Sequence, residues 1–153
     1  MFKKIITFFV VLVLGISIPA QYNKQEQEFI KSVIGKEKKE IALNVINIPE
    51  DKEAVFWKYY DSYEKEREKI SVRRFGILQQ YFDILHKSDR NDYRKFVDNI
   101  VYVNSKSSDI IKKYYRKIDK NVSPKTAIQF FELENYVKNA MNSKMYEHLP
   151  YTR

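Results

Sequence analysis

The sequence of 153 residues contains no cysteine, and only two histidines, three glycines and four prolines. The absence of cysteine excludes disulfide bonds, cysteine nucleophiles and thiolate metal sites. So few glycines and prolines do not suit a β-rich fold, which needs many tight turns. Packing between regular elements must therefore stabilise the protein, and the sequence predicts that these elements are helices.

The first twenty residues have the three-part layout of a secretory signal peptide. Two lysines stand near the start, an apolar run from Ile5 to Ile18 follows, and Ala20 precedes a polar segment. This apolar run is shorter than the roughly 20 residues that a helix needs to cross a bilayer. Residues 1–20 are therefore predicted to be a signal peptide, and residues 21–153 a single helical domain exported to the bacterial periplasm. An uncleaved membrane anchor is the alternative.

Apolar residues recur at three- and four-residue intervals through the rest of the chain, as in amphipathic helices. Helices are predicted over about residues 24–44, 49–86, 90–120 and 124–146. Pro49 and Pro124 suit the first position of a helix, where no N–H donor is needed, and Ser88 or Asp89 can cap the third helix. Gly35 weakens the first helix. The expected fold is all-α, an elongated four-helix antiparallel hairpin or open bundle.

The sequence contains no arrangement of residues typical of an active site. There is no Ser-His-Asp order, no glycine-rich phosphate loop and no carboxylate pair at a catalytic spacing. Asp83, His86 and Asp89 recur every third residue at the end of the second helix and could bind a transition metal, although polar groups are common at helix ends. No cofactor is expected, and the protein is predicted not to be an enzyme.

Glu134 lies at the edge of the apolar stripe of the fourth helix, beside Asn135. A half-buried carboxylate needs a charged or hydrogen-bonding partner. A structural ion pair with Arg73 or Arg74 of the second helix is favoured over a role as a catalytic acid. These four residues are therefore predicted to stabilise the fold.

Basic residues are concentrated around the end of the third helix, in a chain whose net charge is +8. The members of this cluster are Lys112, Lys113, Arg116, Lys117, Lys120 and Lys125. Such a cluster can bind nucleic acid or anionic lipid, or it can be a solvated helix face. Because export separates the protein from nucleic acid, contact with a membrane surface and a solvated face are the two interpretations that stay open.

Two segments resemble signatures of small exported bacterial proteins of largely uncharacterised function. One carries Phe56-Trp57 followed by Tyr60, and the other carries Phe130-Phe131 followed by Glu134-Asn135. Those proteins resemble, more distantly, the Spy and CpxP group of periplasmic helical chaperones and sensors. The resemblance implies an elongated helical fold and a role in the cell envelope.

The function predicted from this resemblance and from the absence of catalytic residues is non-enzymatic binding of the envelope-stress type. The protein would be a Spy-like chaperone that binds unfolded clients, or a sensor that binds one partner of an extracytoplasmic signalling system, and a homodimer is a further expectation. The aromatic residues expected on the partner surface, or in the core behind it, are Phe56, Trp57, Tyr59, Phe130 and Phe131. The alternatives are a metal- or anion-responsive periplasmic sensor and a structural envelope protein.

Overall fold

The computed structural model describes residues 24, 28–32, 35–87 and 89–147. At positions 75, 78–83, 85–87 and 145–147 it describes the backbone alone. The predicted signal peptide, residues 1–20, lies outside the described part of the chain. No helix in the described part is both long enough and apolar enough to cross a bilayer.

Helices make up nearly all of the described chain, which contains no β-strand. The helices are α1 (Lys38–Val45), α2 (Glu53–Lys87), α3 (Arg90–Asn121) and α4 (Pro124–Glu147), and a 3₁₀ turn at Glu50–Lys52 leads into α2. Residues 28–32 are helical as well. The predicted all-α fold is confirmed.

The three long helices pack side by side in alternating directions. Lys113 of α3 binds Glu66 of α2 at 2.7 Å, whereas Arg73, two turns further along α2, binds Asn99, nearer the start of α3, at 2.6 Å. α4 then runs back along α3 in the same antiparallel manner. Because α2 contains 35 residues that each rise about 1.5 Å, the bundle is roughly 50 Å long.

Local side-chain contacts fix the starts of α3 and α4. The Asp89 carboxylate accepts hydrogen bonds from the backbone N–H groups of Asn91 and Asp92, at 2.7 and 3.1 Å. Ser123 Oγ accepts one from the Thr126 N–H at 3.0 Å. These contacts satisfy N–H groups that have no partner within the helix. The predicted starts of the third and fourth helices are therefore confirmed.

The prediction of one continuous first helix is wrong. Gly35 has a φ of +77°, and its N–H donates to the Lys31 carbonyl at 2.8 Å, which is the geometry of a helix end. Helical structure resumes only at Lys38. Pro49 was predicted to be the first residue of the second helix, but its ψ of 137° is extended, and α2 itself begins at Glu53 after the 3₁₀ turn.

The segment between α1 and α2 is fastened to the first turns of α4. Thr126 Oγ1 donates to the Asn47 carbonyl at 2.8 Å, and the Asn47 N–H donates to Gln129 Oε1 at 2.8 Å. Ile46 and Ala42 are buried against the same core as α4. The early part of the chain therefore packs against a helix that is distant from it in the sequence.

The core between these helices is unusually rich in aromatic side chains. Phe56, Tyr60, Tyr63, Tyr114 and Phe130 are all buried, and their ring centres lie 5.1 to 6.3 Å apart in successive pairs. Most of these pairs meet edge to face, the arrangement that the aromatic quadrupole favours. A compact aromatic cluster thus fixes how α2, α3 and α4 are rotated against one another.

Candidate functional site

A network of charged side chains is buried where α1, α2 and α4 meet. Lys38 Nζ lies 2.6 Å from Glu134 Oε2 and 2.6 Å from Glu64 Oε1, and the lysine side chain is only 5% exposed. The Tyr63 hydroxyl donates to Glu134 Oε2 at 2.5 Å. Arg67 donates to the other oxygen of Glu64 at 2.9 Å. One buried lysine therefore joins carboxylates from two different helices.

The surroundings shift the pKa values of the two carboxyl groups in opposite directions. Burial raises the pKa of Glu134, and the nearby charge of Lys38 offsets this only in part. Burial acts in the same direction on Glu64, but the charges of Lys38 and Arg67 outweigh it and lower its pKa to about 2. Burial and the charge of Glu134 raise the pKa of Tyr63, so its hydroxyl stays a donor.

The lowered pKa of Glu64 predicts a loss of stability in acid. Because the folded-state pKa lies below the usual value of 4.5, the stabilisation by the ionised carboxylate is complete above pH 4.5 and is lost as the pH falls towards 2. The raised pKa of Glu134 has the opposite effect on stability. Its contribution to the free energy of unfolding is complete below pH 4.5 and is lost as the pH rises above that value. Because that second change lies above pH 4.5, urea unfolding between pH 4.5 and about 2 should show the loss due to Glu64, on the order of 2–3 kcal/mol.

The Glu64→Gln variant provides the control for this prediction. Its free energy of unfolding should be lower than that of the wild type near neutral pH and should converge with it in acid, because glutamine cannot titrate. Parallel curves for the two proteins between pH 4.5 and about 2 would contradict the assignment to Glu64.

A small cavity borders this network between α2, α3 and α4. Its volume is about 20 Å³, room for one water molecule, and its lining includes Arg67, Arg74, Ser107 and Glu134. Glu134 Oε1 has no hydrogen-bond donor among the described residues. The cavity is too small for an organic substrate, so the network acts as a junction between helices.

The structure gives Glu134 a different ion-pair partner from the predicted one. Its cation is Lys38 of α1. Arg73 instead packs over the ring of Tyr102, with the guanidinium carbon 4.2 Å from the ring centre. Arg74 is buried and donates to a serine hydroxyl of α3. Lys38 was not predicted, because a lone lysine in a short polar helix carries no sign that it is buried.

An open groove on the surface between α3 and α4 offers more room, and we call it the α3–α4 groove. Its volume is about 610 Å³, within the roughly 300–1,000 Å³ common for binding sites. Its lining consists of an apolar set, Ile111, Tyr115, Ile128 and Phe131, and a polar set, Ser108, Lys112, Arg116 and Asn135. Apolar walls with a few polar groups are typical of sites that bind organic ligands or peptide segments.

The apolar side chains of the α3–α4 groove differ in exposure, since Ile111 is buried whereas Phe131 and Ile128 are accessible. Phe131 is 38% exposed and Ile128 is 43% exposed. The Phe131 ring meets the Tyr115 ring edge to face, with 5.8 Å between their centres. Lys112 and Arg116 follow each other by one helical turn on the rim. An exposed aromatic surface thus lies directly beside two cationic groups.

The α3–α4 groove brings together some of the residues predicted to bind a partner and excludes others. Phe131, Lys112 and Arg116 all line it. Phe56 and Phe130 are both fully buried. These two phenylalanines therefore belong to the core, which was the alternative role predicted for them, and they cannot contact a partner of the folded protein.

Of the remaining predicted residues, Lys113 and Lys117 lie on the side of α3 that faces α2, and Trp57 and Tyr59 belong to α2 itself. Lys113 pairs with a glutamate of α2, and Lys117 lies 5.9 Å from the centre of the Tyr59 ring. Trp57 is half-buried, and Lys39 of α1 lies 4.9 Å from its ring centre. α3 therefore divides the predicted basic cluster, with Lys112 and Arg116 in the α3–α4 groove and Lys113 and Lys117 towards α2.

The predicted metal ligands do not form a described site. The side chains of Asp83 and His86 lie outside the described part of the structure. The Asp89 carboxylate is engaged in capping α3. Among the side chains that the structure describes, no three histidine, aspartate or glutamate residues come close enough together to hold a metal ion.

Three apolar residues of the α3–α4 groove, Ile111, Tyr115 and Ile128, were not predicted to belong to a binding surface. Ile128 and Phe131 are three residues apart, so they form a second apolar stripe on α4 beside the buried one that contains Ala127 and Phe130. A double stripe on an otherwise polar helix is the signal that could have revealed the groove.

Comparison with known proteins found no family model, no curated protein and no solved structure that matches this chain. The resemblance to small exported bacterial proteins and to the Spy and CpxP group therefore stays a prediction.

Proposed function

We propose that this protein is a non-enzymatic binding protein of the bacterial envelope, which holds apolar segments of other protein chains in the α3–α4 groove. The observation that carries this proposal is the pairing of exposed Phe131 and Ile128 with the cationic rim of Lys112 and Arg116. In the envelope-stress setting predicted from the sequence, the bound segment belongs to an unfolded client.

The apolar part of the groove supplies the affinity for such a segment. A phenylalanine and an isoleucine exposed side by side leave apolar area in water, and covering it is favourable at roughly 25 cal/mol per Å². Both Phe131 and Ile128 project from α4, so binding does not require the backbone to become ordered. Preorganised aromatic side chains of this kind dominate the energetics of many interfaces.

The cationic rim selects the chemistry of the segment. In the described structure neither Lys112 nor Arg116 forms an ion pair. Both therefore remain available to carboxylates, and the preferred segment has apolar side chains next to aspartate or glutamate. Charged rims of this kind set specificity and the rate of association more than the total affinity.

Aggregation of a chemically unfolded, acidic client, followed by light scattering, tests this function. The purified protein should suppress aggregation at equimolar amounts at low salt and keep part of that effect at high salt, since salt screens only the charged rim. The Phe131→Ala/Ile128→Ala variant should need roughly tenfold more protein for the same suppression, as expected for loss of about 1.4 kcal/mol of binding.

Tyr136→Ala is the matched control for this experiment. Tyr136 is 60% exposed on the same helix but does not line the α3–α4 groove. Its loss should leave suppression unchanged. Equal losses in both variants would assign the effect to unspecific apolar contact. No suppression at either salt concentration would exclude the chaperone role and leave a sensor with one specific partner, to be found by crosslinking in the envelope.

A further inference from the structure

We propose that a second groove, between α2 and α3, binds a compact polyanion of the phosphate class. We call it the lysine groove. Its volume is about 470 Å³. Lys65 and Lys69 of α2 form one wall, and Lys106 and Lys113 of α3 form the other. It shares no lining residue with the α3–α4 groove, so the two grooves are separate.

The charges in the lysine groove are strongly unbalanced. Four lysines line it against one acid, Glu66, which leaves three positive charges in excess. Glu66 already accepts two hydrogen bonds from Lys113, at 2.7 and 2.9 Å. In the described structure Lys65, Lys69 and Lys106 form no ion pair. These three amines are therefore free to bind an anion.

Repulsion between these lysines destabilises the folded protein when the groove is empty. Lys65 and Lys69 follow each other by one turn of α2, about 6 Å apart at their Cβ atoms, and like charges at this spacing destabilise a helix. Lys106 brings a third uncompensated positive charge from the facing wall, since Lys113 is paired with Glu66. An anion between the walls relieves this repulsion, so binding should stabilise the folded protein.

The chemistry of the walls favours phosphate groups. Lysine amines are compact point charges on flexible stems, which suits phosphate oxygens presented in several directions. Three uncompensated charges within one groove match a ligand that has at least three closely spaced negative charges. The same chemistry occurs in a soluble polyphosphate and in clustered phospholipid headgroups, which the experiment separates.

Calorimetric titration with inorganic tripolyphosphate, at low and high salt, tests the soluble form of the ligand. Sedimentation with vesicles that contain phosphatidylglycerol tests the headgroup form. The Lys65→Gln/Lys69→Gln variant should lose affinity roughly tenfold, since each exposed pair of opposite charges is worth up to about 1 kcal/mol. The melting temperature of the wild type should rise with tripolyphosphate, whereas that of the variant should rise less.

Lys120→Gln/Lys125→Gln is the charge-matched control, because both lysines are exposed and neither lines the lysine groove or the α3–α4 groove. Its affinity should stay within about twofold of the wild type. A loss of affinity in the Lys65 and Lys69 variant, with none in the control, supports the site. The assay that shows this loss identifies the form of the ligand, soluble polyphosphate or lipid headgroup. Equal loss in both variants, or no binding in either assay at low salt, would overturn it. Aggregation suppression is measured separately, so failure here leaves the proposed function standing.

Discussion

Replacing Lys38 with methionine should lower the free energy of unfolding by about 3–5 kcal/mol, as expected when a buried ion pair loses one partner. The substitution leaves Glu134 buried without its cation and removes one of the two cations that bind Glu64. Because whole domains are stable by only about 5–15 kcal/mol, the loss is a large fraction of the total. Urea unfolding followed by circular dichroism measures it.

Two further variants separate the buried network from general effects of removing a lysine. Lys36→Met removes an exposed lysine whose amine lies 3.6 Å from Glu40, and it should cost less than about 1 kcal/mol. Lys38→Met combined with Glu134→Gln should recover more than about 1 kcal/mol relative to Lys38→Met alone, since the uncompensated charge is gone. Additive losses in the double variant would show that Lys38 and Glu134 are not coupled.

Truncating Phe130 to alanine should destabilise the protein by about 3–5 kcal/mol, the usual cost of removing a buried phenylalanine. Phe130 is fully buried and meets the rings of Tyr60 and Tyr63 edge to face. The same truncation at its neighbour Phe131 should cost only about 1 kcal/mol, because that ring is 38% exposed. Thermal and urea unfolding of the two variants in parallel give the comparison.

The two phenylalanines should also differ in their effect on client binding. Here the larger effect is expected at Phe131, whereas the larger effect on stability is expected at Phe130. Phe131→Ala should weaken client binding while the fold stays intact. Phe130→Ala should change binding only to the extent that the protein unfolds. A similar loss of stability at both positions would indicate that both rings lie in the core. It would therefore contradict the orientation of α4 about its axis in the structure.

Local sequence signals determined the class of the fold and the ends of its later helices. Asp89 caps α3, and Ser123 caps α4 directly before Pro124. These contacts join residues within one turn of each other, so they can be predicted without knowledge of the tertiary structure. The break at Gly35 was harder to predict, because a glycine can be tolerated inside a helix or can end it, and neighbouring packing decides between the two.

Only the tertiary structure decided which side chains meet across helices. A helix turns by about 100° per residue, so Phe130 and Phe131 point to different surroundings although both are apolar. For the same reason Lys112 lines the α3–α4 groove and Lys113 lines the lysine groove, so the basic cluster is divided. The orientation of each helix about its own axis depends on packing in the aromatic core. All three long helices contribute side chains to that core.

The sequence by itself determined that this protein is helical, because helix formation depends on contacts between residues three or four positions apart. The packing of distant segments decided its binding surfaces and its buried charges. Lys38 meets Glu134 where the early chain packs against α4, held there by the hydrogen bonds of Asn47 and by buried Ala42 and Ile46. Such contacts between distant residues form only when the whole core is assembled.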